Sequence, residues 1–195
     1  MTRLALLRHG PTGWTREHRL QGRTDVPLDA GGRDEVRRWR LPPEVADYCW
    51  LVSPLRRAIE TAALVGIEGV LEPRLVEMSW GDWEGRRVAD LSAAAGDAFA
   101  AWEARGLDLE PPGGESPRMV QERLRPLLAE IGRSRHPIGA VTHKGVIRAV
   151  LALATGWDMT AKQPAKLAWS ALHIFDIAAD GTPGIAELNL SVAAP

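Results

Sequence analysis

Arg3-Leu4-Ala5-Leu6-Leu7-Arg8-His9-Gly10, near the start of the chain, is the stretch from which the fold can be worked out. Leu4 to Leu7 is an unbroken apolar run, without the polar alternation of a strand that keeps one face in water. Such a run fits a short strand covered on both faces, as in a parallel sheet flanked by helices. It ends in a cation, an imidazole and a flexible residue. That end suits the holding and attack of an anion, and it equally suits a strand that happens to finish in polar residues. One short motif does not choose between the two.

A second stretch echoes the first. Ile138-Gly139-Ala140-Val141-Thr142-His143-Lys144-Gly145 is again an apolar strand ending in histidine, which places two histidines at equivalent topological positions. Tyr48 to Val52 reads as another buried strand. Gly69 to Val76 reads as one more, interrupted by Pro73 and so near an edge. Between them lie helical patterns. Asp29 reads as the N-cap of a helix to about Trp39, with Val36 and Trp39 inward and Pro42-Pro43 as the stop. Ser53 reads as the cap of a helix with Pro54 at its first position. Residues 87–105 read as helix with a break at Gly96. Ser116 and Pro117 open a helix to about Ser134, in which Pro126 predicts a kink or two shorter helices. A helix over Lys144 to Ala154 follows the echoing strand, and residues 160–166 read as a short helix. Residues 11–28 read as loop. Residues 168–177 and 184–190 alternate as a terminal hairpin, and the tail from Ser191 to Pro195 is expected to fray.

Strands alternating with helices predict an α/β fold: a three-layer α/β/α sandwich around a mostly parallel central sheet. No linker divides the chain, so one domain over residues 1–195 is expected, with a small inserted cap region at about 78–115. The 45% of hydrophobic residues can build a sizeable core, and the net charge of -1 argues against a general nucleic-acid binder. Cys49 is the one cysteine, which excludes an intrachain disulfide and a cysteine-based metal site. It stands in an apolar run and is expected in the core. No stretch approaches the roughly 20 apolar residues of a membrane span, and Leu4–Leu7 is too short for a signal peptide's apolar region. A cytoplasmic chain without membrane contact is the expectation. Of the eight tryptophans, Trp14, Trp80 and Trp83 lie in loop-like sequence close to the candidate chemistry, whereas Trp39, Trp102, Trp157 and Trp169 fit packing faces.

In open parallel sheets ligands bind beyond the carboxyl ends of the strands. The first strand ends in Arg8-His9. The second ends in Ser53, with Arg56 and Arg57 just beyond, and the fourth in Thr142-His143. Helix N-termini follow two of these ends, with free N–H groups and a dipole that favours anions. Such a pocket suits phosphate, and the guanidinium fork matches its oxygens.

These residues carry a resemblance. Arg8-His9-Gly10 with Trp14, Gln21-Gly22, Asp25 and Pro27-Leu28 resembles the histidine phosphatase superfamily, the phosphoglycerate mutase-like proteins. So do Ser53-Pro54-Leu55-Arg56-Arg57-Ala58 with Thr61-Ala62, Glu77 with Gly81 and Trp83-Glu84-Gly85, Gly113-Gly114-Glu115-Ser116, and Thr142 to Arg148. The resemblance runs from residue 3 to about 155. It implies that His9 is the nucleophile, forming a phosphohistidine. It implies that Arg8, Arg57 and His143 bind the transferring phosphoryl group and that Glu77 is the general acid. Thr15, Gln21 and Gly22 join Arg8, Arg57 and His143 as expected substrate-binding residues. No metal and no cofactor are implied, and the expected partner is a small phosphorylated substrate. His9 must be neutral to attack, which nearby cations favour, and Glu77 must be protonated, which burial by Trp80 and Trp83 would favour.

The sequence departs from the family pattern at Thr15, where asparagine is usual, and at Lys144, where glycine is common. The mutase branch carries an arginine pair after a tryptophan in its longer insertion and a lysine after the Glu-Gly element. Here Glu103-Ala104 follow Trp102, and Val88 stands near the lysine's place. The expectation is therefore a phosphatase resembling short bacterial members such as the α-ribazole phosphatase-like proteins. The alternatives are a phosphoglycerate mutase, a phosphate-binding regulatory module without turnover, and a metallohydrolase using His9, His143 and Glu77, which lacks close ligand spacing. Substrate choice is assigned to the cap, with Trp80, Trp83, Trp102 and Arg86 or Arg87 as candidate contacts. Glu84 reads as structural, and His18, His136 and His173 as surface or packing residues. The terminal hairpin offers an edge to a second copy in a homodimer.

Overall fold

A computed structural model of the chain describes residues 1–192. They form a six-stranded sheet in the order β3-β2-β4-β1-β5-β6. The strands are β1 (Thr2–Arg8), β2 (Cys49–Val52), β3 (Gly69–Leu71), β4 (Ile138–Thr142), β5 (Ala171–Ile177) and β6 (Pro183–Ser191). The four strands from β3 to β1 run parallel, while β5 and β6 complete the sheet antiparallel. The helices are α1 (Gly13–Arg16), α2 (Ala30–Val36), α3 (Arg56–Val65), α4 (Val88–Ala95), α5 (Asp97–Glu103), α6 (Pro117–Gly132) and α7 (Lys144–Thr155). No helix of the described residues is long and apolar enough to cross a membrane.

The apolar run of β1 serves both faces of the sheet. Leu4 and Leu6 pack with α6 and α7, through residues such as Leu124, Leu128, Ile147 and Leu151. Ala5 and Leu7 pack on the other side with Val36 of α2 and with Ala58 and Ala62 of α3. Alternate residues of one strand thus feed two cores, which is why the strand lacks a polar face. A third, smaller cluster of Trp83, Leu91 and Phe99 lies under α4 and α5. The break at Gly96 between these helices, the Asp29 cap of α2 and the Ser116 cap of α6 stand where the sequence placed them.

Several local expectations are corrected. The loop over 11–28 contains the short helix α1, closed by a capping box between Thr12 and Thr15. Helix α3 starts at Arg56, two residues after Pro54, and its first N–H donates to Asp25 Oδ1 at 2.7 Å. Ser53 is therefore not its cap. Helix α6 is continuous through Pro126, so the alternative of two shorter helices is the one that falls. That proline and Glu122, whose carbonyl it leaves unbonded, both face solvent, so water can take the carbonyl. Residues 160–166 form no helix. The Asp158 carboxylate takes both the N–H and the hydroxyl of Thr160, and the Trp157 indole donates to the Ala161 carbonyl. Such local side-chain bonds compete with helix formation. Cys49 is exposed, because cover begins one residue later at the buried Trp50. At the C-terminus Ser191 still belongs to β6, and the buried Val192 accepts a hydrogen bond from Arg40 N–H through its carbonyl. The rest of the expected frayed tail, residues 193–195, lies outside the described residues.

Candidate active site

Strands β2, β4 and β1 are neighbours and end at one level. Arg8 pairs with Thr142 and Val52 with Val141. The His9 N–H continues the ladder to the Thr142 carbonyl at 2.9 Å, and the Ser53 N–H to the Val141 carbonyl at 2.9 Å. His9, His143 and Ser53 thus rise side by side from three strand ends. The two imidazole centroids are 5.1 Å apart, with the rings tilted by 53°.

His9 is 4% exposed, and its Nδ1 lies 2.7 Å from the Gly10 carbonyl oxygen. A carbonyl can only accept, so Nδ1 carries the proton and Nε2 keeps its lone pair. Gly10 is itself held. Its N–H donates to the Thr61 hydroxyl, which donates to the Arg57 carbonyl. Burial pushes the His9 imidazole well below its ordinary value, and the charges of Arg8 and Arg57 push it further. His143 is likewise depressed, by burial first and then by Arg57, the neighbouring His9 and Arg8. Its Nε2 meets the Ser53 hydroxyl at 2.6 Å, while its Nδ1 is buried without a partner.

The two arginines reach the site differently. Arg57 is fully buried. Its Nη1 donates to the Thr24 carbonyl at 3.0 Å and its Nη2 to the Gly22 carbonyl at 2.7 Å, which leaves Nε without a partner. Burial lowers it to about 10, so it stays charged at neutral pH. Burial also lowers Arg8, against the opposing pull of Glu77, and the Arg8 Nε lacks a partner too. Thr12 turns a third donor into place. Its hydroxyl donates to Gln21 Oε1, so the buried Gln21 Nε2 is left as an unpartnered donor. Arg8, Arg57 and Gln21 thus all carry buried N–H groups without protein acceptors. Uncompensated donors of this kind are costly unless an anion meets them.

Glu77 is 5% exposed. It accepts the Met78 N–H at 2.8 Å and the Gly145 N–H at 3.1 Å. Burial raises its carboxyl above the ordinary value, against those hydrogen bonds and the two arginines. A side chain at Gly145 would place its Cβ 2.3 Å from Glu77 Oε1, so anything larger than glycine there displaces the Glu77 carboxylate or α7. The backbone before Glu77 is tied down by the Thr142 hydroxyl on the Leu75 carbonyl and by Arg123 on the Arg74 and Val76 carbonyls.

Two further carboxylates hold loops. Glu84 accepts from the backbone of Arg23, Thr24 and Trp80 and from the Thr24 hydroxyl. Burial works to raise its carboxyl, but these donors outweigh it and leave the carboxyl lowered. Glu115 accepts from Ser79 N–H, Arg23 and Arg123. A Cβ at Gly22 would lie 2.1 Å from Glu84 Oε1, which fixes glycine at that turn.

A cavity of about 810 Å³ opens above these groups. Arg8, His9, Thr15, Gln21 and Glu77 line it, while Arg57, His143 and Gly22 form the buried layer beneath. Gly22 enters the site through the carbonyl that it lends to Arg57. Thr15 shares its hydroxyl with Thr12 at 3.1 Å, inside the capping box. Of the expected cap contacts only Trp80 lines the cavity. Trp83 is buried in the cap cluster, edge-on to Trp102 at 5.0 Å, so both serve packing. Arg86 and Arg87 face solvent, and Arg87 Nε donates to the Glu17 carbonyl. Trp14 packs beside Gly85, outside the cavity. His18 is exposed at the cavity rim, His136 is exposed and His173 is buried in the sheet. Trp169, Met159 and Thr160 also line the cavity, from a segment that carries no motif; only the fold brings it there. Among the described residues no three His, Cys, Asp or Glu side chains group as metal ligands would.

Comparison with known proteins agrees with this geometry. Residues 4–190 match the model of the histidine phosphatase superfamily, branch 1. Phosphoserine phosphatase 1 of Hydrogenobacter thermophilus is 30% identical over 169 residues, covering 82% of this chain and 79% of that protein. The structure of a putative alpha-ribazole-5'-P phosphatase from Escherichia coli superposes with a TM-score of 0.82 at 27% identity, over 100% of this chain and 98% of that one. A mycobacterial glucosyl-3-phosphoglycerate phosphatase in complex with inorganic phosphate superposes with a TM-score of 0.77 at 27% identity, over 100% of both chains.

Proposed function

The chain belongs to branch 1 of the histidine phosphatase superfamily, and we propose on that footing that it hydrolyses a phosphomonoester of a small metabolite through a phosphohistidine on His9. The observation that carries this reading is the state of His9. Its Nδ1 proton is committed to Gly10, and its Nε2 lone pair is kept free by burial and two arginines. In the first step Nε2 attacks phosphorus and the bond to the ester oxygen breaks. The protonated Glu77 gives its proton to the departing alkoxide. Arg8, Arg57 and His143 offset the charge on the phosphoryl oxygens, which is the main demand of this chemistry. In the second step water attacks the phosphohistidine, Glu77 carboxylate takes its proton, and inorganic phosphate leaves as His9 is restored.

The relatives named as phosphatases support hydrolysis over transfer between sugar or glycerate positions. So does Glu103, an exposed carboxylate on the cavity wall beside Trp102, where the mutase branch has arginine. Measurable interconversion of 2- and 3-phosphoglycerate would favour the mutase instead. The experiment is rapid quench of the enzyme with a phosphate-labelled substrate. We expect an acid-labile, base-stable label that His9→Ala abolishes together with turnover. Turnover that survives His9→Ala overturns the mechanism, and tight vanadate binding without any hydrolysis supports the regulatory module.

A further inference from the structure

Two cations of the cavity wall take no part in the chemistry above. Lys144 and Arg148 stand four residues apart on α7, hence on one face of it, and both line the cavity. No carboxylate pairs with either among the described residues. Each has an indole instead. Lys144 Nζ lies 5.3 Å from the Trp169 ring centroid, and Arg148 Cζ lies 5.1 Å from that of Trp157. An aromatic face holds a cation in place without neutralising it. Arg8 shares the Trp169 ring, at 5.4 Å, so three positive groups converge along this wall. The Nε of Arg148 is buried with no hydrogen-bond partner. Part of the Lys144 side chain reaches solvent, yet its ammonium is lowered, by desolvation first and by Arg148 and Arg8 next. Like charges are thus held close enough to repel, with no carboxylate paired to either among the described residues. Glu77 pulls on both cations from a distance, but its carboxylate is already bound to the N–H groups of Met78 and Gly145.

The scissile phosphate accounts for Arg8, Arg57 and His143 and leaves this pair over. A cavity of about 810 Å³ also leaves room for a substrate well beyond its phosphate. We propose that Lys144 and Arg148 form a second anion subsite, so that the substrate is a small phosphomonoester carrying a further anionic group, a carboxylate or a second phosphate. This rests on the phosphomonoesterase reading and narrows it. Trp169 forms the wall between the two anions, which gives this residue a place in substrate positioning.

The test uses matched ligands and binding, so that it does not depend on turnover. The His9→Ala protein is titrated calorimetrically with three pairs: 3-phosphoglycerate against glycerol 3-phosphate, 6-phosphogluconate against glucose 6-phosphate, and fructose 1,6-bisphosphate against fructose 6-phosphate. In at least one pair the second anion should tighten binding about tenfold or more. The carboxylate pairs and the bisphosphate pair then identify which anion is taken. Adding Lys144→Gln and Arg148→Gln should shrink that ratio to within about threefold and leave the affinity for the member without the second anion within about twofold. Lys144→Gln alone, at the cavity mouth, should remove part of the preference and covers the case in which the double variant fails to fold. Ratios within threefold in every pair overturn the subsite, as does a preference that survives the substitutions. Equal weakening of both members of a pair also overturns it, because the cations then serve the scissile phosphate. Hydrolysis of p-nitrophenyl phosphate by the intact enzyme reads the phosphatase assignment separately.

Discussion

The Nε2 of His143 lies 2.6 Å from the hydroxyl of Ser53, and both side chains are fully buried. The bond crosses between the ends of two neighbouring strands and sets the angle of the imidazole that faces His9. Ser53→Ala leaves that ring nitrogen unbonded, at a cost of about 1–3 kcal/mol. We expect a lower thermal midpoint and a kcat reduced roughly tenfold to a hundredfold, a scale typical of a misplaced catalytic group, with KM little changed. A kcat equal to wild type would mean that packing alone positions the ring.

Glu77→Gln keeps the shape of the side chain and removes the proton. The loss should depend on the leaving group. For an alkyl phosphate such as glycerol 3-phosphate, kcat should fall by about 10²–10⁴, the range for a positioned general acid. For p-nitrophenyl phosphate, whose leaving group needs little protonation, the fall should be much smaller. Equal losses for both substrates would remove Glu77 from the protonation step.

Gly145→Ala tests the same carboxylate sterically. The added Cβ would sit 2.3 Å from Glu77 Oε1, so Glu77 or α7 must move. Overpacking of this kind costs about 1–3 kcal/mol. Urea unfolding should register that cost, and the activity on alkyl phosphates should fall more than the activity on p-nitrophenyl phosphate. Wild-type stability with wild-type rates would show that the site yields more easily than this geometry implies.

Burial, Arg8 and Arg57 hold the His9 imidazole well below 6.5. At pH 6.5, where an ordinary histidine is half protonated, His9 should be almost wholly neutral. Nitrogen NMR of labelled imidazoles reads this directly, and it should also report Nδ1 as the protonated position. On the rate profile, the acid limb due to His9 should fall below pH 6.5. A His9 midpoint at or above 6.5 contradicts the electrostatic account.

His173 gives a prediction about stability. Burial, partly opposed by a hydrogen bond at Ala168, lowers it to about 4 from 6.5. Below pH 6.5 the unfolded chain therefore binds a proton that the folded chain refuses. Stability is lost as pH falls from about 6.5 towards 4 and levels off below that. At pH 4.5 the loss from this group is roughly 2 kcal/mol relative to pH 7. Urea midpoints measured across that window should fall less steeply for His173→Gln than for wild type. Parallel declines would mean that His173 is protonated in the fold.

The parallel half of the sheet was legible because β1, β4 and β2 from Trp50 onward are covered on both faces and keep their apolar runs. The positions of His9, His143 and Glu77 were legible because strand ends and spaced motifs mark them. Ser53 was readable as a strand end, but its Pro54 suggested a helix start, and only the adjacency of β2 and β4 shows that its hydroxyl belongs to His143. Trp83 was counted among the substrate contacts from its setting in a loop, yet it is buried against Trp102, whose packing role its helical setting had suggested; loop-like sequence does not say which side of an indole is covered. Trp169 and Met159 reach the cavity across a long sequence separation, and no local pattern encodes such a meeting. Pro126 does not split α6, and the sequence left that open because the exposure of the freed carbonyl, which decides its cost, is a tertiary fact.

Glu84 and Glu115 fasten the arginine-bearing loop to the base of the cap through Arg23, Thr24, Ser79, Trp80 and Arg123. Neither carboxylate bonds to α4 or α5. The cap helices meet this fastening through packing instead, with Leu91 of α4 and Phe99 of α5 against Trp83. Val88 and Glu103 are the residues of α4 and α5 that line the cavity, so an exchange confined to them would alter the cavity wall without touching a hydrogen bond of Glu84 or Glu115.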